Sequence, residues 1–222
     1  MTAKLISYSQ IPAGGFVGGD DAQDLIAYCA RISNPSNQRN KDTAEKLLKY
    51  LIKHKHWSPL EMVSACLEVE TTRDIARQIL RHRSFSFQEF SQRYANPVKE
   101  LQFVRRGARM QDPKNRQNST NTTPHGIQDE WDMKQQEVIE KSKEVYNWAI
   151  DKGIAKEQAR AVLPEGLTMS RLYVNGTLRS WVHFIELRSG HGTQKEHIDV
   201  AKACAWEIAP IFPMIQDFVT HD

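Results

Sequence analysis

The residues best suited to chemistry gather in one stretch. Thr72 to Arg93 holds Arg73, Arg77, Arg81, Arg83 and Arg93 against only Asp74 and Glu89, an excess of +3 that equals the formal net charge of the whole 222-residue chain. On a helix, Arg73, Arg77 and Arg81 stand four apart on one face, where each like-charge pair costs roughly a few tenths of a kcal/mol unless an anion offsets it. Phosphate is one such anion. The plainer alternative is a solvated face whose cations complement a helix C-terminus. After Arg81-His82-Arg83 comes Ser84-Phe85-Ser86-Phe87-Gln88-Glu89-Phe90-Ser91-Gln92-Arg93-Tyr94, in which hydrogen-bonding side chains are interleaved with aromatics. Guanidinium groups grip phosphate through paired donors, amides and hydroxyls read a base edge, and aromatic rings wall a planar ring. This is the inventory of a nucleotide pocket, with Phe85, Phe87 and Phe90 themselves expected in the core.

The elements that must position these residues follow from periodicity and punctuation. Residues 4–8 read as a strand, followed by a glycine-rich turn (Gly14, Gly15, Gly18, Gly19) without dinucleotide-loop spacing, and by a helix that Asp20 or Asp21 caps and that runs to about Ser33. Thr43 to His54 carries Ala44, Leu47, Leu48, Leu51 and Ile52 at the helical period. Met62 to Thr71 alternates as a strand with one wet face, and Thr72 then opens the arginine-bearing helix. Arg105 to Gly126 is a long polar stretch, read as a disordered surface loop or a lid. Ile127 to about Ile150, with Ile127, Trp131, Val138, Val145 and Ala149 at helical spacing, predicts a long helix ended by Gly153. Leu172 and Val174 mark a strand, Leu178 to Leu187 a helix stopped by Ser189-Gly190, and Val200 to Ile208 a helix closed by Pro210 and Pro213. With no internal repeat and no linker, the chain reads as one mixed α and β domain.

Composition excludes several classes. Apolar residues make up 40% and charged residues 26%, with 11 glycines and 9 prolines, which fits neither a disordered nor a collagen-like chain. The surplus of +3 is too small to argue by itself for nucleic acid or an acidic membrane. No apolar run reaches membrane-spanning length and residues 1–7 lack an apolar leader, so a cytoplasmic protein is expected. Cys29, Cys66 and Cys204 are odd in number and widely spaced, so reduced, mostly buried thiols are expected, with no metal site. The sequons at Asn118 and Asn121 are read as accidental.

Arg81-His82-Arg83, seven residues, then Ser91 resembles the signature of the flavin-dependent thymidylate synthases, and Glu89, Arg93 and Tyr94 extend it. Upstream, His54-Lys55-His56-Trp57-Ser58-Pro59-Leu60-Glu61 is similar to a family block. Downstream, Arg160-Ala161-Val162-Leu163-Pro164, Thr177-Leu178-Arg179-Ser180-Trp181, and Leu187-Arg188 followed by Gly192-Thr193-Gln194-Lys195-Glu196-His197 are similar to further blocks in the family's order. The likeness spans about residues 25–210. It implies a single α+β domain over residues 1–222, with a central, mostly antiparallel sheet flanked by helices, one of them long. It also implies a homotetramer with shared active sites that uses FAD to methylate dUMP to dTMP, with methylenetetrahydrofolate as one-carbon donor and NADPH as reductant.

Carried over residue by residue, the resemblance gives Arg81, His82 and Arg83 to FAD, with Ser58, Glu61, Glu89, Arg179 and His183. It gives Gln78, Arg81, Glu89, Ser91, Arg93, Arg160 and Arg188 to dUMP, with Arg188 beside the uracil ring as the catalytic residue. A fixed cation next to an ionisable ring nitrogen favours the anion, and the anion has more electron density at C5, so no enzyme nucleophile is needed. Read without the family, Arg188 is a cation at a helix C-terminus. Gln88 stands where the family often has Asn, Asn175 and Thr177 are alternatives for one flavin contact, and His56 is either cleft-lining or structural. The competing reading is a single-stranded nucleic-acid-binding module. It would use the Arg73/Arg77/Arg81 face with Phe85, Phe87 and Tyr94 as a stacking platform. A helical assembly protein whose arginines pair with a partner's acids is the other.

Overall fold

Alternation along the second strand sets the architecture. In Ser64–Thr72, Ala65, Leu67 and Val69 are buried while Ser64, Cys66, Glu68 and Glu70 are half-buried, so one face of the sheet is core. Four strands, β1 (Thr2–Tyr8), β2 (Ser64–Thr72), β3 (Ser86–Glu89) and a longer strand at Met169–Thr177, form a sheet in which that last strand lies between β2 and β3, antiparallel to both. Two further short strands, β4 (Met110–Gln111) and β5 (Ser119–Thr120), pair as a hairpin, so Met169–Thr177 is β6. The helices are α1 (Ala22–Ala30), α2 (Ala44–Lys53), α3 (Arg73–Ile79), α4 (Pro97–Glu100), α5 (Ile127–Asp151), α6 (Lys156–Ala159), α7 (Leu178–Ser189) and α8 (Lys195–Ile208). This computed structural model describes residues 1–13, 21–120 and 122–220. The glycine-rich turn at 14–19, Asp20 and Asn121 lie outside the described residues. The mixed α and β architecture, the antiparallel sheet and the long helix are those the sequence implies.

The buried face of β2 and β6 packs against α7 and α8, with Leu67, Leu172, Val174, Trp181, Phe184, Val200 and Ala205 all closed to solvent. Trp181 donates from its indole nitrogen to the Ala65 carbonyl at 3.0 Å, which satisfies the one polar atom it buries. Phe85 lies over Gly176 so closely that a Cβ there would stand 2.3 Å from the ring. Glycine is required at this point, and the contact fixes the turn between α3 and β3 onto the sheet. A smaller core of Tyr146, Ala149, Ala159 and Leu163 lies under α5 and α6.

Several boundaries differ from expectation for physical reasons. Asp21 caps α1 by accepting from the Asp24 amide at 2.8 Å, but the helix stops at Ala30, three residues early. The next residue, Arg31, turns its side chain to the Thr43 hydroxyl at 2.8 Å and to the Asn40 carbonyl. In α5 three residues of the expected apolar stripe are exposed (Ile127, Trp131, Val138) while Ala149 is buried as expected, and Gln135, Ile139 and Tyr146 are buried outside that stripe. Gly153 adopts φ 79° just past its end. The stretch 105–126 is neither structureless nor free. It carries the β4–β5 hairpin, and Arg106 ties it to α3 through Asp74 at 2.7 Å and the Thr72 hydroxyl at 2.6 Å. Gln135 of α5 holds both the N–H and the carbonyl of Arg106, at 2.8 and 2.9 Å. Among the described residues no helix is long and apolar enough to cross a membrane, and no three His, Cys, Asp or Glu residues stand in a metal-holding group.

Candidate active site

Two short helices distribute the candidate residues, and helical geometry decides which meet. On α7, Ser180, Phe184 and Arg188 share one face at four-residue spacing, and the segment after α3 lies along it. Ser180 donates to the Ser84 carbonyl at 3.2 Å, His82 packs edge-on to Phe184 with ring centroids 5.0 Å apart, and Arg188 Nε donates to His82 Nε2 at 2.9 Å. That bond requires a neutral His82 with its proton on Nδ1. Burial, then the nearby Arg188 and Arg81, push His82 down to about 4, so it is neutral at physiological pH. Burial, then Arg81, likewise lower Arg188 from its ordinary value. The neighbouring face of α7 presents Arg179 and His183. Arg179 pairs with Glu61, and His183 meets Trp57 edge-on with centroids 4.7 Å apart. Ser58 is exposed at the start of the same turn, Ser58–Met62.

On α3, four-residue spacing again separates two faces. Arg73 and Arg77 face a cleft of about 340 Å³ that Gln92, Glu157, Arg160, Leu163 and Glu165 also line. Arg73 is buried, with Glu89 at 3.8 Å and Glu165 at 3.7 Å, while Arg77 lies 3.5 Å from Glu165. Glu89 also accepts from the Ser170 hydroxyl at 2.9 Å. Arg93 reaches Glu157 of α6 at 3.6 Å, and Ser91 closes the turn before it, its carbonyl accepting from the Tyr94 amide at 3.1 Å. Gln92 is buried, and among the described residues its Nε2 has no partner. The other face of α3 carries Asp74, held by Arg106, and Gln78. Gln78 Nε2 donates to Gln194 Oε1 at 3.1 Å, and its Oε1 lies 3.2 Å from His197 Nδ1.

The expected Arg73/Arg77/Arg81 face does not exist. α3 ends at Ile79, so Arg81 falls in the following turn beside His82 and Arg188, and carboxylates rather than an added anion offset Arg73 and Arg77. This removes the continuous basic stripe on which a nucleic-acid platform would depend. Three groups result: Ser58, Glu61, Arg179 and His183; Arg81, His82, Arg83 and Arg188; and Glu89, Ser91, Arg93 and Arg160. No hydrogen bond or ion pair among the described residues joins the third group to the second. The sequence singles out Arg73 and Arg77 only as part of a helical face with Arg81, not as lining a cleft with Arg160, and assigns no role to Gln92 on that cleft or to Gln194 and His197 around Gln78. Arg77 stands in the arginine-rich stretch and His197 in a family-like block, but only the fold reveals their neighbours. The thiols carry no sign of activation: burial raises Cys29 and Cys66, and buried Cys204 is raised further, by burial and then by Glu207.

Residues 16–214 match the family described as thymidylate synthase complementing protein. The chain belongs to this family. It is 51% identical over 215 residues to a probable flavin-dependent thymidylate synthase of Paramecium bursaria Chlorella virus 1, covering 97% of each chain. A flavin-dependent thymidylate synthase of Synechocystis is 47% identical over 193 residues, covering 87% of each. Among solved structures, a UMP/dUMP methylase from Streptomyces cacaoi bound with 5-Br dUMP superposes with a TM-score of 0.81 at 26% identity, covering 98% of this chain and 93% of that one. Family membership thus rests on nearly the whole chain, and the sheet-plus-long-helix fold is shared with a solved methylase.

Proposed function

We propose that this member of the family is a flavin-dependent thymidylate synthase that methylates dUMP to dTMP, using FAD, methylenetetrahydrofolate as one-carbon donor and NADPH as reductant. The observation that carries the reading is Arg188. Its Nε is fixed by neutral His82, Arg81 stands close enough to lower its pKa, and it has no carboxylate partner among the described residues. A guanidinium so placed keeps its remaining donors and its whole charge for an anion. Set beside uracil, it favours loss of the ring N3 proton and raises electron density at C5, and thiols, whose pKa burial raises here, are then not needed as nucleophiles.

The residues present fit a flavin nucleotide. Arg81 and Arg83 are exposed, and among the described residues neither forms an ion pair, which suits phosphate. Glu61, Arg179 and His183, with Ser58, surround the adjoining face of α7 and would hold the rest of the cofactor, whereas Glu89, engaged with Arg73 and Ser170, stands apart from them. A bound flavin supplies the redox chemistry. The chain's own part is to bind it, to orient the nucleotide and to hold the uracil as its anion. Arg93, Ser91, Glu89 and Arg160 would take dUMP, and Arg160 with the unpartnered Gln92 amide on the same cleft supports an acceptor group there. Gln78, across α3, would contact the same substrate.

The separation of these groups in one protomer supports active sites shared between chains. Exposed Ile127, Trp131 and Val138 on α5 support contact between copies of the chain, which we read as part of a homotetramer. We read residues 1–222 as one domain working in the cytoplasm. The test is turnover: FAD-loaded protein given dUMP, methylenetetrahydrofolate and NADPH must release dTMP, and omission of any one must stop it. Release of dTMP without FAD would refute the reading.

A further inference from the structure

Gln78 ends a chain of hydrogen bonds whose direction is fixed. Glu196 is buried, and although burial raises its pKa, hydrogen bonds from its own backbone, Arg109 and Gln194 outweigh this and keep it ionised. An ionised carboxylate only accepts. Arg109 donates to it at 2.9 Å and Gln194 Nε2 donates at 3.0 Å. Gln194 must therefore turn its carbonyl to Gln78, whose Nε2 donates to it at 3.1 Å. Gln78 in turn must present Oε1 to His197, 3.2 Å away, so His197 carries its proton on Nδ1. His197 is fully buried, and its Nε2 is left without a partner among the described residues, so with the proton on Nδ1 what is buried unpaired there is a lone pair and not an N–H.

We propose that Glu196 and His197 are positioning residues that lock the Gln78 amide in one of its two orientations, leaving one N–H free as donor to an acceptor oxygen of the nucleotide. An unlocked amide, whose two ends are nearly isosteric, offers its carbonyl to that oxygen as readily as its N–H. Carbonyls and phosphates of a uracil nucleotide are all acceptors, so the flipped form repels them. The lock also connects Gln78 to the β4–β5 hairpin, because Arg109 holds Ser119 at 3.1 Å with the same guanidinium that holds Glu196. The inference rests on the reading that Gln78 contacts dUMP.

The test uses FAD-loaded full-length protein and follows dUMP affinity and the steady-state constants. His197→Leu removes the donor to Gln78, Glu196→Gln removes the fixed acceptor, and His197→Asn restores a donor near the Nδ1 position. We expect His197→Leu and Glu196→Gln each to raise Kd and KM for dUMP about tenfold, the worth of one misdirected hydrogen bond. KM for NADPH and flavin affinity should be unchanged, and His197→Asn should stay within about threefold of the parent. If His197→Leu does not fold, as loss of flavin would reveal, Glu196→Gln carries the same test. Parental dUMP affinity in Glu196→Gln, or an equal loss in His197→Leu and His197→Asn, overturns the lock. Parental affinity in Gln78→Ala overturns the reading beneath it, and the lock with it.

Discussion

His197 should make this protein acid-sensitive in a measurable way. Burial, then the Arg188 guanidinium and the neighbouring His82, push it down to about 3, against an ordinary value of 6.5. A histidine depressed on folding binds more protons unfolded than folded between those two values. Stability is therefore full above about pH 6.5 and falls as the pH drops through the window. Between pH 6.5 and 4.5 the folded side chain stays neutral while the unfolded one becomes charged. Two pH units at ~1.36 kcal/mol each give a loss of about 2–3 kcal/mol from this residue alone. That is a large part of the roughly 5–15 kcal/mol that holds a typical domain folded. His82, pushed to about 4 but only partly buried, adds in the same direction, and solvent screens its share. The assay is urea unfolding of the parent and of His197→Asn at pH 7.5 and 4.5, at one protomer concentration because association contributes to apparent stability. The parent should lose about 2–3 kcal/mol more than the variant between the two pH values. Parallel losses would refute the buried neutral state of His197.

Arg188→Ala should keep its flavin absorbance yet lose dTMP formation by about 10²-fold or more, the scale of a lost charge-stabilising donor; loss of the flavin would count against its assignment to uracil. Gly176→Ala drives a Cβ to 2.3 Å from the Phe85 ring, so it should lower stability by about 1–3 kcal/mol, read as a drop in thermal midpoint, and an unchanged midpoint would contradict the close packing. Asp74→Asn removes the charge partner of Arg106, which sits 2.7 Å from it and is mostly buried. Limited proteolysis in residues 112–118 should accelerate several-fold in that variant, and an unchanged cleavage rate would show that Gln135, Thr72 and Glu196 anchor the hairpin without the Asp74 charge.

The parts of the fold legible in the sequence are those where one period dominates. Leu48 and Leu51 of α2 are buried as their spacing requires, and Ala65, Leu67 and Val69 of β2 point inward as their alternation requires. β6 is legible only at Leu172 and Val174, because its other inward positions, Ser170 and Gly176, carry no apolar side chain to continue the alternation from Met169 to Thr177. The end of α3 was not legible at all. No glycine or proline falls between Arg77 and Phe85, and the helix stops because Phe85 must reach Gly176 and β3 must pair with β6. That break, set by tertiary contacts, takes Arg81 off the helix face and delivers His82 to Arg188. The hairpin in 105–126 was masked by polarity, although Asp112-Pro113 was a turn signal: Asp112 accepts from the Lys114 amide at 2.7 Å and the Asn115 amide at 3.1 Å. The candidate site residues stand out in the sequence as a family pattern. Their sorting into faces of α3 and α7, and the arrangement around Gln78, needed the fold.

The most direct test of the central claim is an anaerobic absorbance experiment on purified protein supplied with FAD. NADPH is added with and without dUMP, and the flavin band is followed in time. A bound flavin that bleaches, and bleaches faster when dUMP is present, is the expected result. Absence of flavin binding, or bleaching indifferent to dUMP, would contradict it.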